Sequence, residues 1–266
     1  LGKGGFGATF ATLDLSLPGK PLCVVKQLRP SSDDPNVFRM AKELFVREAE
    51  TLGRVGNHPQ VPRLLDYFEE NQQFYLVQEY VKGHNLHQEV KKRGPFTEAG
   101  VRQFLSELLP ILKYIHAQKV IHRDIKPANI IIDNNGNSKI MDFGIARVSS
   151  TASHDTAASM LSIHYVPPER FDKNRGIDVR SDIYSLGATL FELVTGRPPH
   201  VGPTAIATLA RLVTTPAPRM SELRRDTPSR LDNLVHEMLQ TEVELRPPSL
   251  KAVIVELEAA RSEAKA

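Results

Sequence analysis

The chain has 266 residues, enough to bury a sizeable core either as one large domain or as two lobes sharing a cleft. Its 34 basic and 31 acidic residues nearly balance and the basic ones are scattered, which argues against nucleic acid as a partner; the single Cys23 excludes a disulfide framework and a cysteine zinc cluster and fits a reducing compartment. No apolar stretch approaches the roughly 20 residues of a membrane helix and no signal-peptide pattern opens the chain, so the sequence reads as soluble. Leu1 stands directly before a glycine cluster, and the expectation is a domain from a longer protein, cytoplasmic in itself or as the cytoplasmic part of the whole.

In chain order, loose alternation from Phe6 to Leu15 and the apolar run Leu22 to Leu28 predict two strands joined at Pro18 to Pro21. Val37, Met40, Ala41, Leu44, Phe45, Ala49 and Leu52 recur at helical spacing and predict an amphipathic helix of about four turns. The runs Val61 to Phe68 and Phe74 to Val81 add two strands, so the first 80 or so residues read as a small sheet with one helix. Beyond Gly83 the pattern turns helical: Thr97 is placed to cap a helix carrying Val101 to Ile115, with a kink expected at Pro110. Short apolar runs at Val120 to Ile121, Ile130 to Ile132 and Lys139 to Met141 predict small strands around a loop, with a turn at Asn134 to Asn137. Helices follow at Ser181 to Val194, Ala205 to Leu212, Leu231 to Leu239 and Ser249 to Arg261.

Gly2, Gly4 and Gly7 form GxGxxG, a backbone bare of Cβ atoms that can approach phosphates and offer N–H groups to them. A glycine-rich hairpin is the plain alternative. A dinucleotide-binding fold would need a helix after Gly7, where a strand is predicted, and the other phosphate cradle, GxxxxGK[ST], is absent. Lys26 lies within an apolar strand and Glu48 on the following helix; a solvent-facing lysine and a solvated glutamate are the ordinary readings. The pair gains meaning if the helix packs on the sheet, because Glu48 would then hold Lys26 ionised and aimed at the phosphates under the glycine segment.

The decisive stretch is His122, Arg123, Asp124, Ile125, Lys126, Pro127, Ala128, Asn129, followed after a second strand by Asp142, Phe143 and Gly144. HRDxKxxN matches by chance in roughly one chain of this length in ten thousand at ordinary residue frequencies. Phosphoryl transfer needs a carboxylate near the attacking hydroxyl, metal ligands, and cations on the phosphates. Asp124 suits the first role; Asn129 and Asp142 offer hard oxygens to Mg²⁺.

With these motifs in this order the sequence resembles the Hanks-type, eukaryotic-like serine/threonine protein kinase catalytic domain over essentially its whole length. Strings such as YSLGATLFELVTGRPP give it a bacterial look. The resemblance implies an α+β, two-lobed fold: a small antiparallel-sheet N-lobe with one helix over 1–78, truncated at its first strand, a hinge over 79–83, and a mainly helical C-lobe over 84–266. It implies ATP and Mg²⁺ as cofactors, transfer of the γ-phosphoryl group to serine or threonine of protein substrates in signalling, and a transient homodimer for autophosphorylation. Residue by residue, Gly2, Gly4 and Gly7 match the glycine-rich loop that Leu1 opens, Lys26 the strand lysine and Glu48 its helix partner. Asp124 matches the catalytic base with Lys126 beside it, and Asn129 and Asp142 match the metal ligands. Thr9, Val24, Glu79, Val81 and Ile131 fall at adenine-pocket positions, with Gln78 as gatekeeper and Tyr80 within the hinge. His122, Arg123, Phe143, Gly144, Glu169, Asp182 and Arg246 match structural positions, the last pairing with Glu169, and Gly187 lies on the same long helix as Asp182. An arginine at the position of Arg123 implies control by phosphorylation in the segment Ser149 to Ser159, with Thr156 favoured and Ser159 and Thr151 next.

Thr9 stands where valine is usual, Val24 where alanine is, Leu161 and Ser162 where Gly-Thr is common, Pro167 where alanine is common, and Tyr184 where tryptophan is frequent. The first two suggest a slightly tighter adenine pocket and the next three an altered peptide ledge. A pseudokinase would show losses at Lys26, Asp124 or Asp142, and none is lost. A small-molecule phosphotransferase of similar fold would seldom carry the ledge at Tyr165 to Glu169. Lys126, supported from the ledge by Ser162, disfavours a tyrosine kinase.

Overall fold

The computed structural model describes residues 2–4, 7–28, 34–143, 162–172 and 174–263. Strands β1 (Gly2–Gly4), β2 (Gly7–Leu13), β3 (Leu22–Leu28), β4 (Leu64–Glu70) and β5 (Gln73–Glu79) form an antiparallel sheet in the order β1-β2-β3-β5-β4. The β4–β5 hairpin turns on Asn71 and Gln72, both at positive φ (50° and 58°), the conformation that a two-residue hairpin of matching twist requires. Helix α1 (Pro35–Val55) crosses the sheet, started by Asp34, whose side chain accepts from Asn36 N–H. Its inner face buries Phe45, Glu48, Ala49, Leu52 and Val55, and Phe45 stacks on Phe74 of β5 with ring centroids 5.1 Å apart.

Past β5 the chain enters a mainly helical half. β6 (Gly83–Asn85), β7 (Ile130–Asp133) and β8 (Ser138–Ile140) form a small antiparallel sheet against α2 (Leu86–Arg93) and α3 (Glu98–Ala117). Thr97 caps α3 as its sequence predicts. α4 (Val179–Thr195) is buried along its whole length from Ser181 to Val194 and ends at Gly196 in the left-handed region, φ 80°. α5 (Ala205–Thr214), α6 (Met220–Leu223), α7 (Ser229–Met238) and α8 (Leu250–Glu263) complete the described helices. One continuous apolar core runs from Phe45 and Phe74 through α3 and α4 to Val253. The result is an α+β kinase-like fold, a sheet N-lobe on a helical C-lobe. None of the described helices is long and apolar enough to cross a membrane.

Two local expectations need correction, and α3 runs on past its proline. Val120 and Ile121 are not a strand; the third partner of the small sheet is Gly83–Asn85, whose three residues carry no apolar alternation to announce it. The strand expected from Val61 begins at Leu64, because Pro62 has no N–H for a ladder and Val61 N–H is used by His58 C=O. Helix α3 continues through Pro110 to Ala117; Pro110 and Ser106, the residue whose carbonyl loses its helical donor, are both exposed, so water can satisfy that carbonyl.

Two ties join the lobes behind the cleft. In the α1–β4 connection Gln60 accepts from Ile140 N–H through its carbonyl (3.0 Å) and donates through Nε2 to Ser138 C=O (3.0 Å), while His58 packs on Tyr114 of α3. Lys139 of β8 pairs with Glu79 at the end of β5 (3.1 Å), and Arg63 joins the same carboxylate at 3.6 Å.

The C-lobe core holds a fully buried ion pair. The two terminal guanidinium nitrogens of Arg246 reach the Glu169 carboxylate, at 2.9 and 2.8 Å, and neither side chain has any exposure. Arg246 also donates to the carbonyls of Gln240, Thr241 and Arg180, and its guanidinium lies 4.8 Å from the Tyr184 ring centroid. Ser181 Oγ donates to Glu169 at 2.7 Å. Burial acts to raise the Glu169 pKa, but the bonds and charge of Arg246 outweigh it and hold it below the usual range. Arg246→Ala would strand a buried carboxylate, and urea denaturation should show a loss of roughly 3–5 kcal/mol. A Glu169 pKa depressed by folding contributes stability above its unfolded value that disappears on acidification. The wild type should therefore lose more stability than Arg246→Ala as pH falls from neutral through the carboxylate range.

Gly187 of α4 faces α7 so closely that an added Cβ would lie 2.8 Å from Met238 Cβ. Gly187→Ala must therefore push the two helices apart, at an expected cost of about 1–3 kcal/mol in the same assay.

Candidate active site

The loop Val120–Pro127 is shaped by one carboxylate beneath it. Asp182, in the first turn of buried α4, has zero exposure and accepts from the backbone N–H of His122 and of Arg123, each at 2.8 Å, with His116 Nε2 also at 2.8 Å. These bonds fix Arg123 at φ 68°, a left-handed conformation that a non-glycine residue holds only when its surroundings impose it. His122 is buried in turn: its Nε2 lies 2.9 Å from Met141 C=O, and its Nδ1 accepts Asp124 N–H at 3.3 Å. That pattern requires the neutral ring protonated at Nε2, in keeping with burial, which lowers its pKa despite the nearby carboxylates of Asp182 and Asp124. Phe143 packs on the same ring at 4.6 Å.

On this base the polar residues of HRDxKxxN converge. Asp124, 7% exposed, receives Lys126 Nζ at 2.9 Å on Oδ2 and 3.2 Å on Oδ1. Asn129 closes the 3-10 turn Pro127–Asn129 and spends its Nδ2 on Asp124, 2.9 Å to the carbonyl and 2.6 Å to Oδ2. Lys126 Nζ also donates to Ser162 Oγ at 2.7 Å, which links the catalytic-loop stretch to the segment leading to Glu169.

From the N-lobe, Lys26 enters the same cleft. It pairs with Asp142 directly and lies 3.9 Å from Glu48 Oε1 on α1. Burial acts to lower the Lys26 pKa, but Asp142 and Glu48 outweigh it and raise it above the ordinary lysine value. Asp142 takes a positive φ of 54° and keeps its side chain half exposed. In register, Thr9 stands opposite Lys26 and Val24 opposite Gln78. Gly2 and Gly4 of β1 pair with Thr9 and Gly7, so a strand does follow the glycines. Val81 is buried just past β5, and Ile131 of β7 pairs with Asn85.

The structure brings Lys26, Glu48 and Asp142 together in one group and Asp124, Lys126, Asn129 and Ser162 in another. Leu1, Gly144, Thr151, Thr156, Ser159 and Leu161 lie outside the described residues. Several supporting groups carry no sequence signal. His116 beneath the loop, Glu107 holding Ser138 through N–H (3.0 Å) and Oγ (2.8 Å), and Glu192 accepting from Tyr165 Oη are recognisable only once distant elements are packed together. Among the described residues no cluster of three or more His, Cys, Asp or Glu forms a closed metal cage.

A model of the protein kinase domain matches residues 1–256. Serine/threonine-protein kinase B of Synechocystis sp. is 62% identical over 209 residues, covering 75% of this chain and 36% of its own. Serine/threonine-protein kinase PknA of Nostoc sp. is 40% identical over 207 residues, covering 75% and 36%. Serine/threonine-protein kinase PrkC of Bacillus subtilis is 31% identical over 237 residues, covering 88% and 35%. The chain spans about a third of the length of these curated relatives. Nearly every residue is matched by the family model, and the chain belongs to the protein kinase domain family.

Proposed function

We propose that this chain transfers the γ-phosphoryl group of ATP to serine or threonine hydroxyls of other proteins. The observation that carries this reading is Asp124, buried and held from two sides by Lys126 and Asn129, with Lys126 extended to Ser162 of the peptide ledge. The relatives named as serine/threonine kinases support the choice of acceptor.

In this reading the substrate hydroxyl gives its proton to Asp124 while its oxygen bonds to the γ-phosphorus and the bond to the β–γ bridging oxygen breaks, releasing ADP. Lys126, fixed between Asp124 and Ser162, offsets negative charge on the transferring group. Lys26, kept ionised by Glu48, directs its ammonium to the nucleotide phosphates. Asn129 and Asp142 fit Mg²⁺: the Asn129 amide nitrogen is already committed to Asp124, which leaves its carbonyl oxygen as the outward donor, and Asp142 is half exposed toward the cleft. Bound there, Mg²⁺ supplies neutralisation of the phosphate charge. Adenine would lie between Leu1, Thr9 and Val24 on one side and Ile131 on the other, hydrogen-bonded to the backbone of Glu79 and Val81 in a hinge over 79–83, with Gly2, Gly4 and Gly7 over the phosphates. A need for ATP and a buried free Cys23 favour the cytoplasm, for the chain or for this part of a longer protein.

Transfer of radioactive phosphate from ATP to a generic basic protein tests the assignment. The wild type should label serine and threonine. Asp124→Asn should lower kcat by about 10²–10⁴ with nucleotide affinity retained, and Lys26→Met should abolish transfer while the melting temperature stays near the parent's. Label on tyrosine, or near-normal kcat in either variant, would contradict it.

Control by phosphorylation belongs to the same proposal. Arg123 Nε is buried without a hydrogen-bond partner among the described residues, immediately before Asp124. A phosphate on Thr156, with Ser159 and Thr151 next, would pair with that guanidinium and couple the segment to the catalytic loop. Transient pairing of two copies would install it. Thr156→Ala should lose most activity, and Arg123→Ala should make activity indifferent to phosphatase; equal activity of phosphatase-treated and untreated wild type would remove the switch and leave the kinase.

A further inference from the structure

The peptide ledge carries a group of charges that phosphoryl transfer itself does not use. Ser162 meets Lys126 and Lys126 meets Asp124, so the ledge begins where the acceptor hydroxyl would lie. His164 follows two residues on, at most about 7 Å of chain away. Its ring is half-buried, and its Nδ1 lies 2.7 Å from the carbonyl of His200 in the connection between α4 and α5. A carbonyl only accepts, so Nδ1 carries the proton and Nε2 is the atom left to meet a ligand, an acceptor in the neutral ring and a donor in the charged one. Arg211 of α5 converges on the same place. Its side chain is exposed and its Nη1 donates to the carbonyl of Val201, next to His200. Burial, with the charges of His164 and Arg211 behind it, drives the His200 pKa down to about 4, so His200 itself stays neutral. The Glu192 carboxylate behind the ledge does not reverse the sign of this surface: it is 5% exposed, Tyr165 Oη donates to its Oε2, and His87 Nδ1 of α2 lies 3.4 Å from its Oε1.

We propose that His164 and Arg211 form a subsite for a carboxylate side chain of the protein substrate, so that serines and threonines with an aspartate or glutamate nearby are selected. The carboxylate accepts from Nε2 of the charged His164 ring and from the remaining N–H groups of Arg211. Imidazole takes up its proton between about pH 8 and 5, so the selection strengthens on acidification, while the share due to Arg211 is constant. Of the other groups facing the ring, His200 changes charge only near 4 and the Tyr165 hydroxyl is pushed far up by burial and Glu192; exposed His87 is the one that needs a control. The inference rests on the kinase reading above, in which Asp124 meets the acceptor hydroxyl.

The test uses peptides with one serine in an uncharged background, carrying a single glutamate or, for comparison, glutamine, moved one position at a time along both sides of the serine. The ratio of kcat/KM for the glutamate and glutamine peptides cancels the pH dependence of the chemical step. At one or two adjacent positions the wild type should prefer glutamate by about fivefold at about pH 6 and about twofold at about pH 8. His164→Gln should give the same low ratio at both pH values, Arg211→Gln should lower the ratio at both while keeping its pH dependence, and His87→Gln should change neither. The wild-type comparison needs no variant to fold. No preference at any position, a preference for glutamine, or a pH dependence that survives His164→Gln or vanishes in His87→Gln overturns the subsite, and the kinase reading stands if the generic basic protein is still labelled. Absence of transfer to the peptides and to the basic protein alike overturns both.

Discussion

The buried carboxylate of Asp182 is the constraint on which the site depends. A charge with zero exposure persists only when its oxygens are fully occupied, and here three donors occupy them, two of them the backbone N–H groups of His122 and Arg123. That satisfaction runs both ways. The loop stabilises the charge, and the charge holds Arg123 in a left-handed conformation it would otherwise leave. Asp124 follows directly, so its direction is inherited from α4, an element buried from Ser181 to Val194 and therefore among the least able to shift.

A second layer of order comes from shared partners. Lys126 serves Asp124 and Ser162, Asn129 serves the carbonyl and carboxylate of Asp124, and Lys26 serves Glu48 and Asp142. Each side chain has two anchors, those of Lys126 and Lys26 on separate segments and those of Asn129 both on Asp124, which restricts its direction. The arrangement also sorts charge. Lys26 is kept ionised by carboxylates on two elements, whereas His122, buried beneath the loop, is kept neutral and acts as a spacer with one donor and one acceptor.

Much of this was legible in the sequence because its chemistry is local. HRDxKxxN sets five polar groups within eight residues, and no packing is needed to see that they meet. Lys26 and Glu48 were legible only conditionally, since the value of each depends on α1 lying across the sheet, which the apolar spacing of Phe45, Ala49 and Leu52 foretold. The helices of the C-lobe were found within a few residues for the same periodic reason. What escaped lacks a period or lacks neighbours in sequence. Gly83–Asn85 is a strand only because β7 pairs with it, α2 is short, and the ties of Gln60 to β8 and of Glu107 to Ser138 span chain distances that no motif records.

The tie at Gln60 also determines what kind of motion the cleft can make. Among the described residues the sheet meets the helical half at the covalent crossing after Glu79, at the bonds from Gln60 to Ser138 and Ile140, at the Lys139–Glu79 pair and, from β3, at the Lys26–Asp142 pair. The first three of these lie at β4 and β5, one side of the strand order β1-β2-β3-β5-β4, so any swing of the sheet about them would displace β1 most and stretch the Lys26–Asp142 pair with it.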